Sequence, residues 1–362
     1  MFRYVLIFGL MVYGLIHLLG FSKAFSYGNV SQLTSNIAKP VGLIWAATAI
    51  LFTAAAVLLL LKKDGWWMLG LTAAVVSQVL IVSVWQDAKF GTLPNLIILV
   101  AALLGYSDWR FENRYQTDVH AGLERISATD TDLLTEADIR HLPPLVQNYL
   151  RYVGVLNKPK VKDYHIGFEG QMREKGKDWF TFQSEQYNFA DVPTRLFFMK
   201  GKLFGVTVPG YHAYKNGTAT MQIKLFGLLP IVDAKGKELT KAETVTLLND
   251  MCLLAPATLI DRRIQWEPID DSSVKAIFTN NSITVSAILY FNAKGQLTNF
   301  VSDDRYAIAD MKQYRFSTPI TEYRSFNGFN LASYGEAVWH YPDGAFSYGQ
   351  FHLKKVEYNC RV

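Results

Sequence analysis

The segment Ile-Thr-Val-Ser-Ala-Ile-Leu-Tyr-Phe, residues 283–291, places an apolar side chain at every second position. Because successive side chains of a strand point to opposite faces of a sheet, this alternation predicts a half-buried β-strand. Asn216-Gly217 and Asp343-Gly344 each separate two further strand-like runs, and Lys294-Gly295 indicates a third, longer turn. Roughly ten such strands follow Val161, and their spacing predicts a meandering antiparallel sheet or an incomplete barrel.

Two helical segments are expected to cover the apolar face of this sheet. The first begins at Pro143-Pro144 and ends at Gly154, which is the residue type that most often stops a helix. The second runs over residues 241–255 and begins with an apparent capping box, Thr240–Glu243. The predicted fold class is α+β, with a curved antiparallel sheet or half-barrel covered by inserted helices. In architecture alone, this arrangement is similar to the half-barrel of bacterial lipoprotein carriers.

The first 106 residues have a different composition from the rest. Only eight of them are charged, whereas 59 of the other 256 residues are. Their apolar runs predict an α-helical membrane bundle, because a helix rises about 1.5 Å per residue and must cross roughly 30 Å of hydrocarbon. The expected spans are 2–20, 41–61, 66–85 and 92–108. The apolar part of the fourth span covers only about 21 Å, so three spans stay an alternative to four.

The chain is therefore expected to contain a transmembrane domain over residues 1–106, a polar linker over 107–130 and a soluble β-rich domain over 131–362. With four spans, five Lys and Arg residues flank one side of the membrane and three flank the other. This bias favours a cytoplasmic soluble domain at the bacterial inner membrane. With three spans, the same rule places the soluble domain outside.

Five short segments carry a resemblance to a known family. They are Ile16–Phe21, Ser77–Ile81, Trp85–Thr92, Leu142-Pro143-Pro144 and Tyr149-Leu150-Arg151. Together they resemble an uncharacterised bacterial membrane-protein family, classed as a domain of unknown function. The resemblance covers nearly the whole chain and implies N-terminal transmembrane helices followed by a C-terminal β-rich domain. It brings no assigned activity and no catalytic residues.

Composition and motifs argue against several classes of function. Outside the first 106 residues, 30 basic residues balance 29 acidic ones, so no nucleic-acid-binding surface is indicated. The seven histidines are scattered, and Cys252 and Cys360 belong to no metal-binding motif. P-loop, dinucleotide and nucleophile-elbow motifs do not occur in the sequence. We therefore expect no metal, no cofactor and two buried free thiols.

The candidates for catalysis are Asp303, Arg305, Glu336 and His340. Adjacent carboxylates on a strand face opposite sides, so a solvated strand end with an Asp–Arg pair is the favoured interpretation of residues 303–305. Glu336 and His340 share one face of a strand but lie about 13 Å apart, too far for a direct dyad. These residues give only weak support for an enzyme.

Aromatic residues occur in most of the predicted strands. Packing is their default explanation, and the functional one is an apolar cavity between sheet and helices. The residues expected to line such a cavity are Trp179, Leu248, Met251, Trp266, Trp339 and Tyr348. The leading hypothesis is a non-enzymatic, membrane-tethered domain that binds or passes on a lipid or other apolar molecule. A membrane-bound enzyme and a scaffold that pairs with another membrane protein are the alternatives.

Overall fold

The computed structural model describes residues 2–126, 132–203 and 205–361. The chain forms two compact units. The first comprises Met1–Phe111 and Phe226–Leu228, and the second comprises Glu112–Leu225 and Leu229–Val362. The first is mainly helical, and the second is built on a large β-sheet.

The helices that begin in the first unit are α1 (Phe2–Phe25), α2 (Lys39–Leu60), α3 (Trp66–Ser83), α4 (Trp85–Ala88) and α5 (Thr92–Arg125). A short 3-10 turn, Lys89–Gly91, joins α4 to α5. Among the described residues, four helical segments are long and apolar enough to cross a membrane: α1, α2, α3 and the segment Trp85–Arg125. Each overlaps one of the four spans expected from the sequence, so length and composition agree with the four-helix interpretation.

The helices of the first unit pack through small residues and a buried polar cluster. A Cβ atom on Gly20 would lie 2.2 Å from the ring of Trp45, so only glycine allows this approach of α1 to α2. His17 is buried, with its Nδ1 2.8 Å from the carbonyl oxygen of Tyr13 and its Nε2 2.8 Å from the hydroxyl of Ser77. Because a carbonyl oxygen only accepts, Nδ1 donates to it and Nε2 accepts from Ser77.

Within the described residues, the second unit contains a 13-stranded antiparallel sheet and a two-stranded ribbon. The helices of this unit are α6 (Glu136–Ile139), α7 (Pro144–Val153) and α8 (Lys237–Leu253). The strands before α8 are β1 (Asp163–Met172), β2 (Phe180–Phe189), β3 (Thr194–Leu203), β4 (Val206–Lys215), β5 (Thr218–Leu225) and β6 (Leu229–Lys235).

The strands after α8 are β7 (Ile264–Pro268), β8 (Ser273–Asn280), β9 (Ile283–Phe291), β10 (Leu297–Ser302), β11 (Tyr306–Ala307), β12 (Lys312–Gln313), β13 (Arg315–Phe326), β14 (Phe329–Tyr341) and β15 (Gly344–Tyr358). Across the sheet the order is β6-β5-β4-β3-β2-β1-β15-β14-β13-β10-β9-β8-β7, and β11 pairs with β12 in the ribbon. Strands β1–β6 form the first arm of the sheet, and the strands from β15 to β7 form the second arm.

The sheet curves around α8. Strands β5 and β9 are nine positions apart in the sheet order, which would separate them by about 43 Å if the sheet were flat. Nevertheless α8, a cylinder only about 10 Å across, packs against both β5 and β9. Tyr214 of β4 also accepts a 2.7 Å hydrogen bond from Asn280 of β8. The two arms therefore bend toward each other on the face that holds α8.

The turns predicted from glycine are confirmed. Asn216 and Gly217 connect β4 to β5 with φ values of 54° and 70°, as a two-residue hairpin turn requires. Gly295 has a φ of 78° in the longer loop between β9 and β10, and Gly344 has a φ of 127° at the start of β15. Gly154 ends α7 in the left-handed conformation, with a φ of 79°.

The predicted start of α8 is wrong. The helix begins at Lys237, after Gly236, rather than at residue 241. The Thr240 hydroxyl consequently donates to the Gly236 carbonyl oxygen at 2.7 Å, one turn back within the helix. Glu243 cannot complete a capping box because its carboxylate is bonded to Arg195 of β3 instead. A capping motif needs unpaired N–H groups, and a helix that has already begun upstream does not offer them.

The apolar face of α8 packs into the main core of the second unit. Leu248 is fully buried, in the same cluster as residues of α7 and of both arms of the sheet. The Tyr149 hydroxyl of α7 donates to the Cys252 carbonyl oxygen at 2.8 Å and joins the two helices. Both cysteines are free; Cys252 is buried and Cys360 is half-buried.

Helix replaces most of the expected linker. Residues 107–125 continue α5, and residues 127–130 lie outside the described part of the chain. Phe111, Tyr115 and Val119 are buried and four residues apart, so they form one apolar stripe along the helix. Charged residues lie between these three positions, so the average polarity of the segment does not reveal the stripe.

The last part of α5 packs on the sheet face opposite α8. The ring of Tyr115 stacks on Phe198 of β3, with centroids 5.2 Å apart. The Tyr211 hydroxyl of β4 donates to Asp118 at 2.7 Å. Residues 112–125 are thus an integral part of the second unit.

We expect a fragment of residues 112–362 to be more stable than a fragment of residues 130–362. Deletion of residues 112–129 would expose Phe198 and Tyr211 and remove the ring of Tyr115. Urea unfolding of the two fragments, followed by circular dichroism, gives the comparison. Equal midpoints would show that α5 adds nothing to the sheet domain.

Leu248→Ala in the full chain is expected to cost about 2–5 kcal/mol of unfolding free energy, the range for a cavity opened in a packed core. The matched control is Leu229→Ala, because Leu229 on β6 is 57% exposed and its truncation should cost less than about 0.5 kcal/mol. Thermal or denaturant unfolding measures both. Similar costs for the two variants would contradict the placement of Leu248 in the core.

Candidate functional site

A cavity of about 470 Å³ lies between α8 and the concave face of the sheet. Both arms of the sheet and the segment between β10 and β13 contribute to its wall. Aromatic and aliphatic side chains make up most of the wall, among them Phe168, Phe180, Phe197, Phe316, Trp339 and Phe351. All the elements that form the cavity belong to the second unit.

The alternation of β3 places its side chains on two different surfaces. Arg195, Phe197 and Met199 point into the cavity. Phe198 points to the opposite face, where it stacks on Tyr115. Because the period of a strand is two, one ten-residue strand both lines the cavity and anchors α5.

A buried ionic cluster forms one polar part of the cavity wall. The Arg195 guanidinium donates through Nε to Asp250 Oδ2 at 2.7 Å and through Nη1 to Glu243 Oε2 at 3.0 Å. Its Nη2 donates to the side-chain oxygen of Gln186 at 3.0 Å. His212 lies 3.9 Å from the second oxygen of Glu243. Every nitrogen of this arginine therefore has a partner.

The net pKa shifts of Glu243 and Asp250 are opposite, although Arg195 lowers the pKa of both. Burial alone raises the pKa of Glu243, but attraction to Arg195 and to the nearby His212 outweighs it and lowers that pKa to about 2. For Asp250, burial raises the pKa, and the bonds from Arg195 and Gln186 offset only part of the rise. Glu243 is therefore the member of the cluster whose charge the fold stabilises.

Arg305 is the second arginine of the cavity wall and has a different environment. Its guanidinium carbon lies 4.1 Å from the ring centre of Phe316, 4.9 Å from Trp339 and 5.9 Å from Tyr348. These rings come from the adjacent strands β13, β14 and β15, and we call them the aromatic box. Nη1 donates to the Tyr348 hydroxyl at 2.8 Å.

Two buried polar atoms of the wall lack a partner among the described residues. They are Nε of Arg305 and the side-chain oxygen of Asn249 on α8. Native proteins rarely leave such atoms unpaired, because the loss of hydration costs roughly 1–3 kcal/mol for each.

The residues predicted to bind a ligand fall into three groups. Trp339 and Tyr348 line the cavity. Leu248 and Met251 are instead buried in the core, because the apolar face of α8 is broader than the cavity. Trp266 packs against that core as well.

Trp179 is outside the wall, and the Arg173 guanidinium stacks 4.3 Å above its ring.

The four candidates for catalysis do not form one site. Asp303 is exposed and pairs with Arg315 at 2.9 Å, as the Asp–Arg interpretation predicted, although with a different arginine. His340 lies 2.8 Å from the Ser317 hydroxyl and is absent from the cavity wall. Arg305 and Glu336 do line the cavity. Within the described ranges, no group of three or more His, Cys, Asp or Glu residues is able to hold a metal ion.

The ionic cluster was not predicted from the sequence. Its signal is the pair Glu243 and Asp250, which are seven residues apart and so lie on one face of a helix. Two carboxylates on a helix that is otherwise mostly buried require a buried cation. The sequence offered no means of choosing Arg195 among 36 basic residues.

Comparison with known proteins assigns the chain to a family. The model of a "Family of unknown function (DUF6544)" matches residues 132–351. The chain belongs to this family. The matched residues of DUF6544 include α7, α8 and every residue of the cavity wall except Leu353. This match confirms the expected domain of unknown function.

Other comparisons add little to the DUF6544 assignment. The curated proteins contain no significant match. Among solved structures, the chain is similar to the LolA superfamily protein NE2245 from Nitrosomonas europaea. The similarity covers 59% of this chain and 93% of that protein, with 9% sequence identity and a TM-score of 0.35.

The low pKa of Glu243 predicts how stability depends on pH. A folded pKa of about 2 against an ordinary value of 4.5 corresponds to roughly 3 kcal/mol of stabilisation. Because the folded pKa is depressed, this contribution is present above pH 4.5 and is lost as the pH falls toward 2. Glu243→Gln should therefore destabilise the protein at pH 7 and much less near pH 2.5.

Urea unfolding at several pH values tests this expectation. Glu322→Gln is the control, because that carboxylate is about half exposed and pairs with Arg324 at the surface, where an ion pair contributes less than about 1 kcal/mol. A cost of Glu243→Gln that does not change between pH 7 and pH 2.5 would contradict the electrostatic account.

Proposed function

We propose that this protein binds a lipid-like apolar molecule in the cavity between α8 and the sheet, without chemical conversion of the molecule. The observation that carries the proposal is the cavity itself: about 470 Å³ of space with a wall of mainly aromatic and aliphatic side chains. Ligand sites of proteins range over about 300–1,000 Å³ and have the same kind of lining. An apolar cavity of about 150 Å³ already admits benzene, so this one has room for an acyl chain.

The position of the catalytic candidates supports binding over catalysis. Glu336 accepts hydrogen bonds from the Tyr334 and Ser347 hydroxyls, at 2.8 and 2.7 Å. His340 and Asp303, which an acid–base mechanism would need beside it, are not part of the wall. General acid–base catalysis requires such groups within hydrogen-bond reach of one substrate atom.

The helices of the first unit support a location at a membrane. Four helical segments have the length and composition of membrane spans. We propose that they tether the binding domain at the bacterial inner membrane, with the domain on the cytoplasmic side, where a lipid-like molecule has a short path into the cavity.

A cavity-filling substitution tests the binding function. Ala337 of β14 lines the cavity and is buried, and Ala337→Trp would fill much of the space. The full chain, held in amphipol, is titrated with radiolabelled hexadecanol as a neutral apolar probe. We expect the wild type to bind about one hexadecanol per chain and Ala337→Trp to bind at least tenfold more weakly.

The control is Ala293→Trp, because Ala293 lies exposed in the loop between β9 and β10. It should bind hexadecanol like the wild type. Ala337→Trp should also unfold close to the wild-type temperature, since the new ring enters open space and not a full core. A wild-type protein that binds no more hexadecanol than Ala337→Trp would sink the proposal.

A further inference from the structure

Four lysine and arginine side chains line the cavity, and two of them have an anionic partner. Arg195 is bonded to both Glu243 and Asp250. Lys175 forms an ion pair with Asp343. Among the described residues, Arg173 and Arg305 have no carboxylate oxygen within the 4.0 Å of an ion pair. Arg173 donates instead to the Ser347 carbonyl oxygen at 3.1 Å. Glu243 attracts Arg305 at longer range, but Arg305 forms no direct ion pair.

The aromatic box surrounds Arg305 with three rings. Its guanidinium carbon lies 4.1 Å from the ring centre of Phe316 and 4.9 Å from that of Trp339, two rings inclined at 62° to each other, within the range of cation–π attraction. Nη1 donates to the Tyr348 hydroxyl, and Nε is covered by protein atoms. Nη2 has no hydrogen-bond partner among the described residues and is not covered in this way, so its N–H groups remain available to a planar or tetrahedral anion.

Two carboxylates of the wall, Glu243 and Glu336, are the alternatives that could compensate Arg305. Glu243 attracts Arg305, but its carboxylate is bonded to Arg195. Both carboxylate oxygens of Glu336 are already occupied, by the hydroxyls of Tyr334 and Ser347. Glu336 also lies beyond ion-pair distance from Arg305. The buried Nε of Arg305 therefore stays without an acceptor, in a place where burial makes an unpaired donor costly.

From this juxtaposition we propose that the ligand is an anionic amphiphile. Its carboxylate or phosphate accepts hydrogen bonds from Arg305, and its apolar chain fills the cavity. This inference rests on the proposed binding function and names the chemical class of its ligand. An arginine suits the task because its fork of donors binds either anion in a bidentate manner.

The test compares ligands of equal chain length with different heads. Palmitate, 1-palmitoyl lysophosphatidic acid and hexadecanol are titrated against the full chain in amphipol at pH 8. We expect the wild type to bind at least one of the two anions tenfold or more tightly than hexadecanol, a difference of about 1.4 kcal/mol. The anion that binds more tightly identifies the head group as carboxylate or phosphate.

Two arginine variants locate the effect. In Arg305→Gln, the preference for the anion over hexadecanol should be lost. Binding of hexadecanol by this variant shows that the cavity is still present. Arg315→Gln is the matched control, since Arg315 is exposed and paired with Asp303. It should keep the full preference for the anion, and Arg305→Lys should keep part of it.

The two proposals fail in different ways. Equal affinities of the wild type for anions and hexadecanol, or a preference that survives in Arg305→Gln, would overturn the anion proposal and leave the apolar cavity in place. Excess inorganic phosphate is a further test. If it abolishes the binding of palmitate as readily as that of lysophosphatidic acid, the site binds the free anion, and the anion proposal is overturned. If hexadecanol and both anions fail to bind the wild type, the binding function itself is wrong.

Discussion

The contact between Arg195 and the two carboxylates of α8 fixes the geometry of the second unit. Glu243 and Asp250 lie two helical turns apart, and one guanidinium bonds to both. A helix held at two points by one side chain of β3 cannot slide or rotate against the sheet. Buried charges are costly, and removal of one partner typically destabilises a protein by about 3–5 kcal/mol. Loss of either carboxylate would leave Arg195 with less compensation for its buried charge, so the cluster holds α8 in one position on the sheet.

The position of α8 in turn determines the space beside it. The arms of the sheet bend toward each other and contact the helix through β4–β6 on one side and β9–β10 on the other. Leu248 and its neighbours fill one part of the enclosed volume as a close-packed core. The rest of the volume, beside Arg195 and the aromatic box, is left open as the cavity. One part of α8 thus packs in the core, and another part lines the cavity.

Arg195 and Arg305 both line the cavity, but they have different partners. Arg195 has an oxygen partner for each of its nitrogens and belongs to the architecture. Arg305 has three aromatic rings, one hydroxyl partner and an unpaired buried donor. The residue type is the same, so the difference lies in what the fold places around each guanidinium. A cation held rigidly but left without an anion has the properties of a binding group.

The sequence by itself determined the local structure of this protein. The alternation in residues 283–291, the turn at Asn216-Gly217 and the apolar run of residues 41–61 gave strands, hairpins and candidate spans, because each depends on neighbours within a few residues. The stripe of Phe111, Tyr115 and Val119 was also present in the sequence, but the average polarity of the segment concealed it. Only the tertiary structure decided which residues meet across the sheet. Arg195 and Glu243 are separated by 48 residues, and Arg305 and Tyr348 by 43, so the order of the strands and the packing of α8 on the sheet bring them together. The open space beside α8 has no sequence signature, since a cavity depends on what the surrounding side chains fail to fill.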